Sequence, residues 1–223
     1  LAALDVNASQ SQLFSTHFAS LNGVKTSLNL INTGPATQVM LEALDDDGNL
    51  LGSWVVEKLP AGGQLLSDLR DIFDFSSGEN SGWLRVQAAG GTLLGNVVFR
   101  DSGDNFLAAL PLQNEGAREF VFSHVTHTPE VFSALALLNS SLQERLVSIA
   151  IFDGSAQRTG IALLELAAGQ KIARLLSELF PDLEDQSGGF IRIRSNGPIS
   201  GVEIFGDRSL GSMAALPAQV LVP

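Results

Sequence analysis

The chain has 223 residues, a formal net charge of −11 and no cysteine. The acidic balance disfavours nucleic acid and anionic membrane surfaces as partners, because both are bound through clustered Lys and Arg. The lack of cysteine excludes disulfides, thiol nucleophiles and thiolate zinc sites, and the length accommodates two ordinary domains.

The chain repeats itself at an offset of about 107 residues. His124 stands 107 positions after His17, and the same offset carries Asn32 onto Asn139. At an offset of 106, both copies end in Ala-Ala-Leu-Pro, at residues 108–111 and 214–217. Internal similarity of this kind predicts two domains of one fold, residues 13–113 and 120–219, joined by a polar linker at residues 114–119.

Short apolar runs rich in β-formers predict strands in each copy. In the first copy they lie at residues 27–32, 39–44, 54–56, 82–86 and 94–99. Turn signals separate the strands, at residues 22–23, 33–35, 47–49 and 89–91, and at 195–198 in the second copy. The pattern is typical of an all-β, mainly antiparallel protein made of two tandem, immunoglobulin-like β-sandwich domains.

One segment in each copy departs from the strand pattern. Apolar residues recur there at helical spacing: Leu65, Leu66, Leu69, Ile72 and Phe73, and then Ile172, Leu176, Leu179 and Phe180. Each domain is therefore predicted to carry one short amphipathic helix that closes an open end of its sandwich. The second helix should end before Pro181. The charged residues of these segments should face water: Asp68, Arg70, Asp71, Arg174 and Glu178.

Histidines are the first candidates for chemistry. His17 and His124 occupy matching positions, and His127 follows three residues after the second of them. A metal site needs three or four ligands, but the first copy has no histidine at the position that matches His127. We therefore expect structural, hydrogen-bonded histidines near the first strand of each copy and no metal site.

An acidic loop, residues 45–49, places three aspartates beside a turn glycine. Oxygen-rich loops of this kind can hold calcium. The loop lacks the rest of an EF-hand pattern, and an Asp-Gly-Asn sequence between two strands is explained by hairpin geometry.

Trp54 and Trp83 could form a platform for stacking sugars. However, the chain has no tyrosine and is only 7% aromatic, and Trp83 aligns with Phe190 in an apolar strand. We expect both tryptophans to be buried in the core.

Motifs for catalysis are missing from the sequence. It contains neither a Gly-x-Ser-x-Gly elbow nor a phosphate-binding glycine loop. We predict no catalytic residue, no cofactor and no enzymatic activity. Sequons at Asn7 and Asn139 would matter only in a eukaryotic secretory route, and residues 1–12 do not have the composition of an intact signal peptide, so any such peptide is expected to have been removed.

Several of these motifs resemble tandem repeats of secreted bacterial proteins. They are the run at residues 28–32, the acidic turn at 45–49, Gly82-Trp83, residues 95–99 and the Ala-Ala-Leu-Pro endings. The resemblance implies an extracellular or cell-surface β-sandwich and transfers no active site. The expected function is a non-catalytic module that presents a neighbouring domain or weakly binds a protein or glycan surface. The alternative is a calcium- or carbohydrate-binding adhesion module. Neither nucleic-acid binding nor membrane insertion is expected.

Overall fold

The computed structural model describes residues 10–20, 23–75, 80–101, 103, 106–209 and 211–221. The chain divides into two compact units, residues 1–114 and 115–223. Both units are built from antiparallel strands arranged in two sheets, so the predicted all-β fold is confirmed. Asn22, in the first predicted turn, and Asn7, in the first sequon, lie outside the described residues.

Unit 1 consists of two four-stranded sheets with the orders β1-β6-β3-β4 and β5-β2-β7-β8. Its elements are β1 Gln12–Ser20, β2 Val24–Asn32, β3 Thr37–Leu44, β4 Leu50–Leu59, β5 Gln64–Asp68, α1 Leu69–Ile72, β6 Asn80–Ala88, β7 Leu93–Asp101 and β8 Leu107–Pro111. Alternate residues of these strands face inward, which is why Leu28 and Leu30 are buried. The core lies between the two sheets.

Unit 2 repeats this order. Its elements are β9 Ala117–Phe122, β10 Thr126–His127, β11 Val131–Leu138, β12 Arg145–Phe152, β13 Arg158–Leu166, β14 Lys171–Leu175, α2 Leu176–Leu179, β15 Gln186–Ser187, β16 Phe190–Asp207, β17 Met213–Pro217 and β18 Gln219–Val220. One sheet runs β13-β12-β16-β9-β18 and the other β14-β11-β16-β17. Strands β10 and β15 form a separate two-stranded ladder.

Strand β16 belongs to both sheets of unit 2. Residues 190–195 pair with β12 and residues 200–207 pair with β11. The corresponding path in unit 1 is divided into β6 and β7. The turn predicted at residues 195–198 is therefore wrong: these residues lie inside β16, where the register with β9 shifts between Arg194 and Ile199.

Two glycines allow close backbone approach at matching places. A Cβ on Gly82 would lie 1.8 Å from the Leu44 carbonyl oxygen, and one on Gly189 would lie 2.0 Å from the Phe152 carbonyl oxygen. Each glycine adjoins the aromatic residue that follows it, Trp83 or Phe190. The shared Gly-aromatic pair is thus a requirement of packing.

The helices are shorter than the sequence predicts. Leu65 and Leu66 belong to β5, and Ile172 belongs to β14, so each helix is a single turn of four residues. The residues that the turn buries are nevertheless those expected, Leu69, Ile72 and Phe73 in unit 1 and Leu176 and Phe180 in unit 2. A strand that leads into one helical turn presents apolar residues at a spacing that resembles a longer helix.

Strand β9 begins at Ala117, inside the stretch predicted as a linker. Glu119 is opposite Arg194 in this strand, and polar residues are compatible with a strand on the solvent face of a sheet. No helix among the described residues is long and apolar enough to cross a membrane.

Candidate functional site

The two matching histidines both stack on a phenylalanine. His17 lies in β1, is almost fully buried and packs on Phe99 with ring centroids 5.7 Å apart. His124 follows β9 and packs on Phe205 with ring centroids 3.9 Å apart. The stacked imidazole is therefore a feature of both units.

In unit 2 a buried acid adjoins this arrangement. His124 Nδ1 lies 3.1 Å from Glu203 Oε1, and His124 Nε2 lies 3.0 Å from Thr126 Oγ1. Glu203 is fully buried. Burial raises the pKa of Glu203, and the hydrogen bond with His124 opposes that rise. The second carboxylate oxygen, Oε2, has no hydrogen-bond partner among the described residues.

The order hydroxyl, imidazole, carboxylate is the connectivity of a hydrolase triad. In unit 1, Val97 pairs with Leu28 just as Glu203 pairs with Leu135 in unit 2. The imidazole of unit 1 is stacked in the same way without any acid at that position. The stacked imidazole is thus shared by the two units, and the carboxylate at this register position belongs to unit 2.

His127 does not join this cluster. It lies in β10 opposite Gln186. Within the described part of the chain no three His, Asp or Glu side chains converge on a point where they could hold a metal ion.

The acidic loop at residues 45–49 is a hairpin turn organised by one aspartate. Asp45 Oδ1 accepts hydrogen bonds from the backbone N–H groups of Asp47 and Asn49, at 3.0 and 2.8 Å. Asp153 Oδ1 accepts in the same way from Ser155 and Gln157, at 2.8 and 2.9 Å. The anchoring aspartate is therefore shared by both units, and hairpin geometry accounts for it.

The two tryptophans differ in burial. Trp83 is 2% exposed, with the Phe14 ring 6.1 Å away and the Arg85 guanidinium 6.0 Å from its ring centre. Trp54 lies on edge strand β4 and is only half-buried. The expectation of burial holds for Trp83 and is wrong for Trp54, because an edge strand has no neighbour on one side to cover a large ring.

A fully buried asparagine occupies the same place in each unit, Asn32 and Asn139. Asn32 Nδ2 lies within 3.0 Å of the carbonyl oxygens of Pro35, Leu59 and Pro60. Asn139 Nδ2 does the same with Gln143, Leu166 and Ala167. These contacts occupy the nitrogen that a glycan would need at the Asn139 sequon. In the sequence, this shared structural role is indicated by the fact that the two asparagines stand at the same position of the repeat.

The outer face of the β13-β12-β16-β9 sheet carries an exposed apolar surface that the sequence analysis missed. Leu146 on β12 is 53% exposed, and Ile161 and Leu163 on β13 are 54% and 77% exposed. We call these three residues the apolar surface. It borders a groove of about 670 Å³, which is also lined by Ser148, Glu165, Arg194 and Asn196. In sequence, this alternation cannot be distinguished from that of a buried strand.

In the corresponding sheets of the two units, the charged pairs lie on different pairs of strands. In unit 1, Arg85 Nε bonds Glu42 on the neighbouring strand β3 at 2.6 Å. In unit 2, Ala150 takes the register position of Glu42, opposite Arg192. Arg192 instead bonds Glu119 on β9, and Arg194 Nε lies 3.1 Å from the same carboxylate.

The hydrogen bond from Arg192, with a smaller contribution from Arg194, lowers the pKa of Glu119. The three charges are thus gathered on the β16-β9 half of the face. The β12-β13 half is left apolar, with Glu165 at its border.

Neither a protein-family model nor a curated protein matches this chain. A crystal structure of Thermotoga maritima 1070 is similar at 12% identity and a TM-score of 0.43, over 48% of this chain and 96% of that one. A Bacteroides uniformis beta-glucuronidase is similar at 10% identity and a TM-score of 0.19, over 92% of this chain and 25% of that one. A glycosyl hydrolase family 2 member from Bacteroides cellulosilyticus is similar at 9% identity and a TM-score of 0.19, over 92% of this chain and 28% of that one. The chain thus spans about a quarter of each glycoside hydrolase.

Proposed function

We propose that this protein is a non-catalytic, extracellular binding module built from two copies of one β-sandwich. In this proposal, unit 2 binds a protein surface through the outer face of its β13-β12-β16-β9 sheet, and unit 1 acts as a spacer. The observation that carries the proposal is the apolar surface of Leu146, Ile161 and Leu163 beside the groove.

Contiguous exposed apolar residues bordered by polar ones are typical of protein interaction sites. The matching face of unit 1 also exposes two apolar side chains, Met40 and Val55, at 36% and 41%, but it is more polar at two other positions. Gln38 takes the place of Leu146 and bonds Glu57 at 3.1 Å, and Ser53 takes the place of Ile161. The contrast between two otherwise matching sheets supports a binding role for one of them.

The proposal of a repeated module is supported by shared strand order and by matched internal contacts. The asparagine donors, the aspartate-anchored hairpins and the stacked histidines recur in both units. The extracellular, bacterial location follows from the resemblance to secreted repeats. No cofactor and no enzymatic step is part of the proposed function.

A photo-crosslinking amino acid placed at position 163, with a matched control at position 55, tests the binding face. Val55 lies opposite Met40 as Leu163 lies opposite Ser148, so the two sites are equivalent in register. In the native surroundings we expect a discrete protein adduct from position 163 and none from position 55. Equal adducts from both positions would contradict the proposal.

The melting temperature measured during titration with calcium and a glycan panel distinguishes the alternative function. A ligand that binds the native state raises the melting temperature by mass action. We expect no shift. A saturable rise with calcium or with one glycan would favour an adhesion module instead.

A further inference from the structure

Strand β13 is an edge strand. Among the described residues it pairs only with β12, so one side of its backbone presents free N–H and C=O groups. Exposed edges are templates for pairing with another strand unless charge, proline, a bulge or a covering element blocks them. The register irregularity of β13 lies at its start, between Arg158 and Gly160, and leaves residues 160–166 regular. Residues 160–164, at the centre of β13, are Gly-Ile-Ala-Leu-Leu and carry no charge.

The charges of β13 lie at its two ends and have opposite signs. Arg158 begins the strand and Glu165 is its penultimate residue, and both are exposed. Antiparallel pairing of β13 with a second β13 would therefore bring unlike charges together twice. Edge strand β4 of unit 1 lacks this property, since Glu57 and Lys58 both lie near one end.

In one register of this pairing, each outward-facing residue of β13 lies opposite a compatible residue. Centred on Ala162, it places Ile161 opposite the second copy's Leu163 in two symmetric apolar pairs. It also places Glu165 opposite the second copy's Thr159, next to its Arg158. Cross-strand apolar and opposite-charge pairs of this kind stabilise antiparallel ladders. A shift by two residues would place Leu163 opposite Thr159 or Leu163 of the second copy and leave one apolar pair instead of two, and a shift by one would reverse the faces.

We infer that the protein bound by unit 2 is a second copy of this chain, and that the two copies pair through their β13 strands. This inference rests on the proposed function and names the partner that meets the edge of the same sheet. The pairing continues the β13-β12-β16-β9 sheet from one copy into the other. It places Ile161 of the second copy beside Leu163, the most exposed side chain of the apolar surface, and forms an isologous contact, in which both copies use the same residues.

The oligomeric state of the full chain and of charge variants tests the inference. By sedimentation equilibrium at physiological salt we expect a reversible dimer of the 23.6 kDa chain. Glu165→Arg and Arg158→Glu alone should each weaken the dimer at least about tenfold through like-charge contacts, and the double variant should restore it. Glu57→Lys on β4 is the matched control and should leave the dimer unchanged.

Disulfide trapping tests the register, because the chain has no native cysteine. Directly opposite side chains in an antiparallel pair are close enough for a disulfide. An equimolar mixture of an Ile161→Cys chain and a Leu163→Cys chain should crosslink faster than either chain alone. Faster crosslinking of either variant with itself would overturn the register.

A monomer at every concentration, or a dimer that neither charge variant weakens, would overturn the second copy as partner. Circular dichroism of each variant establishes that it is folded. If the chain is monomeric while position 163 still crosslinks a different protein, the inference fails and the proposed function stands. If position 163 crosslinks nothing and the chain is monomeric, both fail.

Discussion

Where the chain turns between strands, the side-chain amide of Asn139 makes the hydrogen bonds that a paired strand would make elsewhere. Its Nδ2 lies 2.7, 3.0 and 2.8 Å from three backbone carbonyl oxygens, and its Oδ1 accepts from Ser141 Oγ at 2.7 Å. Buried carbonyl groups without a donor cost free energy. This position therefore requires the N–H donors of an amide, and a polar side chain without them cannot replace it.

Asn139→Asp should lower the free energy of unfolding by at least about 3 kcal/mol, because it removes the donors and places a negative charge against three carbonyl oxygens. Urea denaturation measures the loss. Asn196→Asp is the control: Asn196 Oδ1 only accepts, from the Leu146 N–H at 3.1 Å, so an aspartate can keep that bond. Equal losses in the two variants would contradict the role assigned to the donor.

Glu203 makes the stability of the chain depend on pH. Because burial raises its pKa above the model-peptide value of 4.5, the folded state favours the protonated acid. Its contribution to stability is complete below pH 4.5 and is lost as the pH rises through the folded-state pKa. His124 is the ionisable group in contact with it.

Glu203→Gln should therefore stabilise the chain at pH 8 and should do so by less at pH 5. Urea titrations at the two pH values measure the difference. Exposed Glu144→Gln should leave the pH dependence unchanged. If the stability of Glu203→Gln changes with pH as steeply as that of the wild type, a group other than Glu203 accounts for the pH dependence.

At the level of elements, the matched hairpins differ in one conformational detail. Gly48 and Ala156 occupy the same place in the two turns, with φ of 84° and 62°. A positive φ is strained for alanine and not for glycine.

Ala156→Gly should raise the free energy of unfolding by about 0.5–1 kcal/mol, and Gly48→Ala should lower it by about 1 kcal/mol. Thermal melts of the two single variants measure both changes in stability. The same sign in both variants would show that the two turns are not equivalent.

The helical turn of each unit ends in an aromatic ring that packs on a glycine of the edge strand. A Cβ on Gly160 would lie 2.9 Å from Phe180 Cδ1, and one on Gly52 would lie 3.2 Å from Phe73 Cδ1. The edge strand and the helical turn are thus fitted to each other in both units.

Phe180→Ala should cost about 3–5 kcal/mol as a large core deletion, measured by urea denaturation. Leu66→Ala, in the corresponding predicted helix of unit 1 but 67% exposed in β5, should cost less than about 0.5 kcal/mol. A loss below about 1 kcal/mol for Phe180→Ala would show that the turn does not cover the core.

At the level of the whole molecule, each unit has two main sheets and its own buried core. The core cluster of unit 2 extends from Phe120 and Phe122 to Ile193 and Ile199 and draws only on residues of that unit. Units of this length can bury enough apolar surface to fold alone.

Residues 1–114 and 115–223, produced separately, should each show strand-type circular dichroism and a cooperative melt. Amide hydrogen exchange should protect the same strands in each fragment as in the whole chain. A fragment without a cooperative transition would show that its fold requires the other unit.

Comparison of particular elements shows where sequence reasoning succeeded. Residues 27–32 and 39–44 are predicted as strands from short apolar runs rich in β-formers, and both lie in strands, because β-branched and aliphatic side chains pack well on a pleated, half-buried surface. The helix at residues 65–73 was overextended because five apolar residues at mixed spacing fit both a helix and a strand that leads into one turn. The turn at residues 195–198 was predicted from Asn-Gly-Pro, but pairing on both sides keeps that segment extended.

The sequence by itself determined the strand content, the apolar residues of the two helical turns and the matched sites of the two halves. These properties are local or periodic, so they can be read along the chain. Only the tertiary structure decided that Glu203 is buried where unit 1 has valine, that Arg192 bonds Glu119 across to β9, and that Leu163 is exposed on an edge. The reason is that alternation defines two faces of a strand, whereas the neighbouring strands decide which face and which edge are covered.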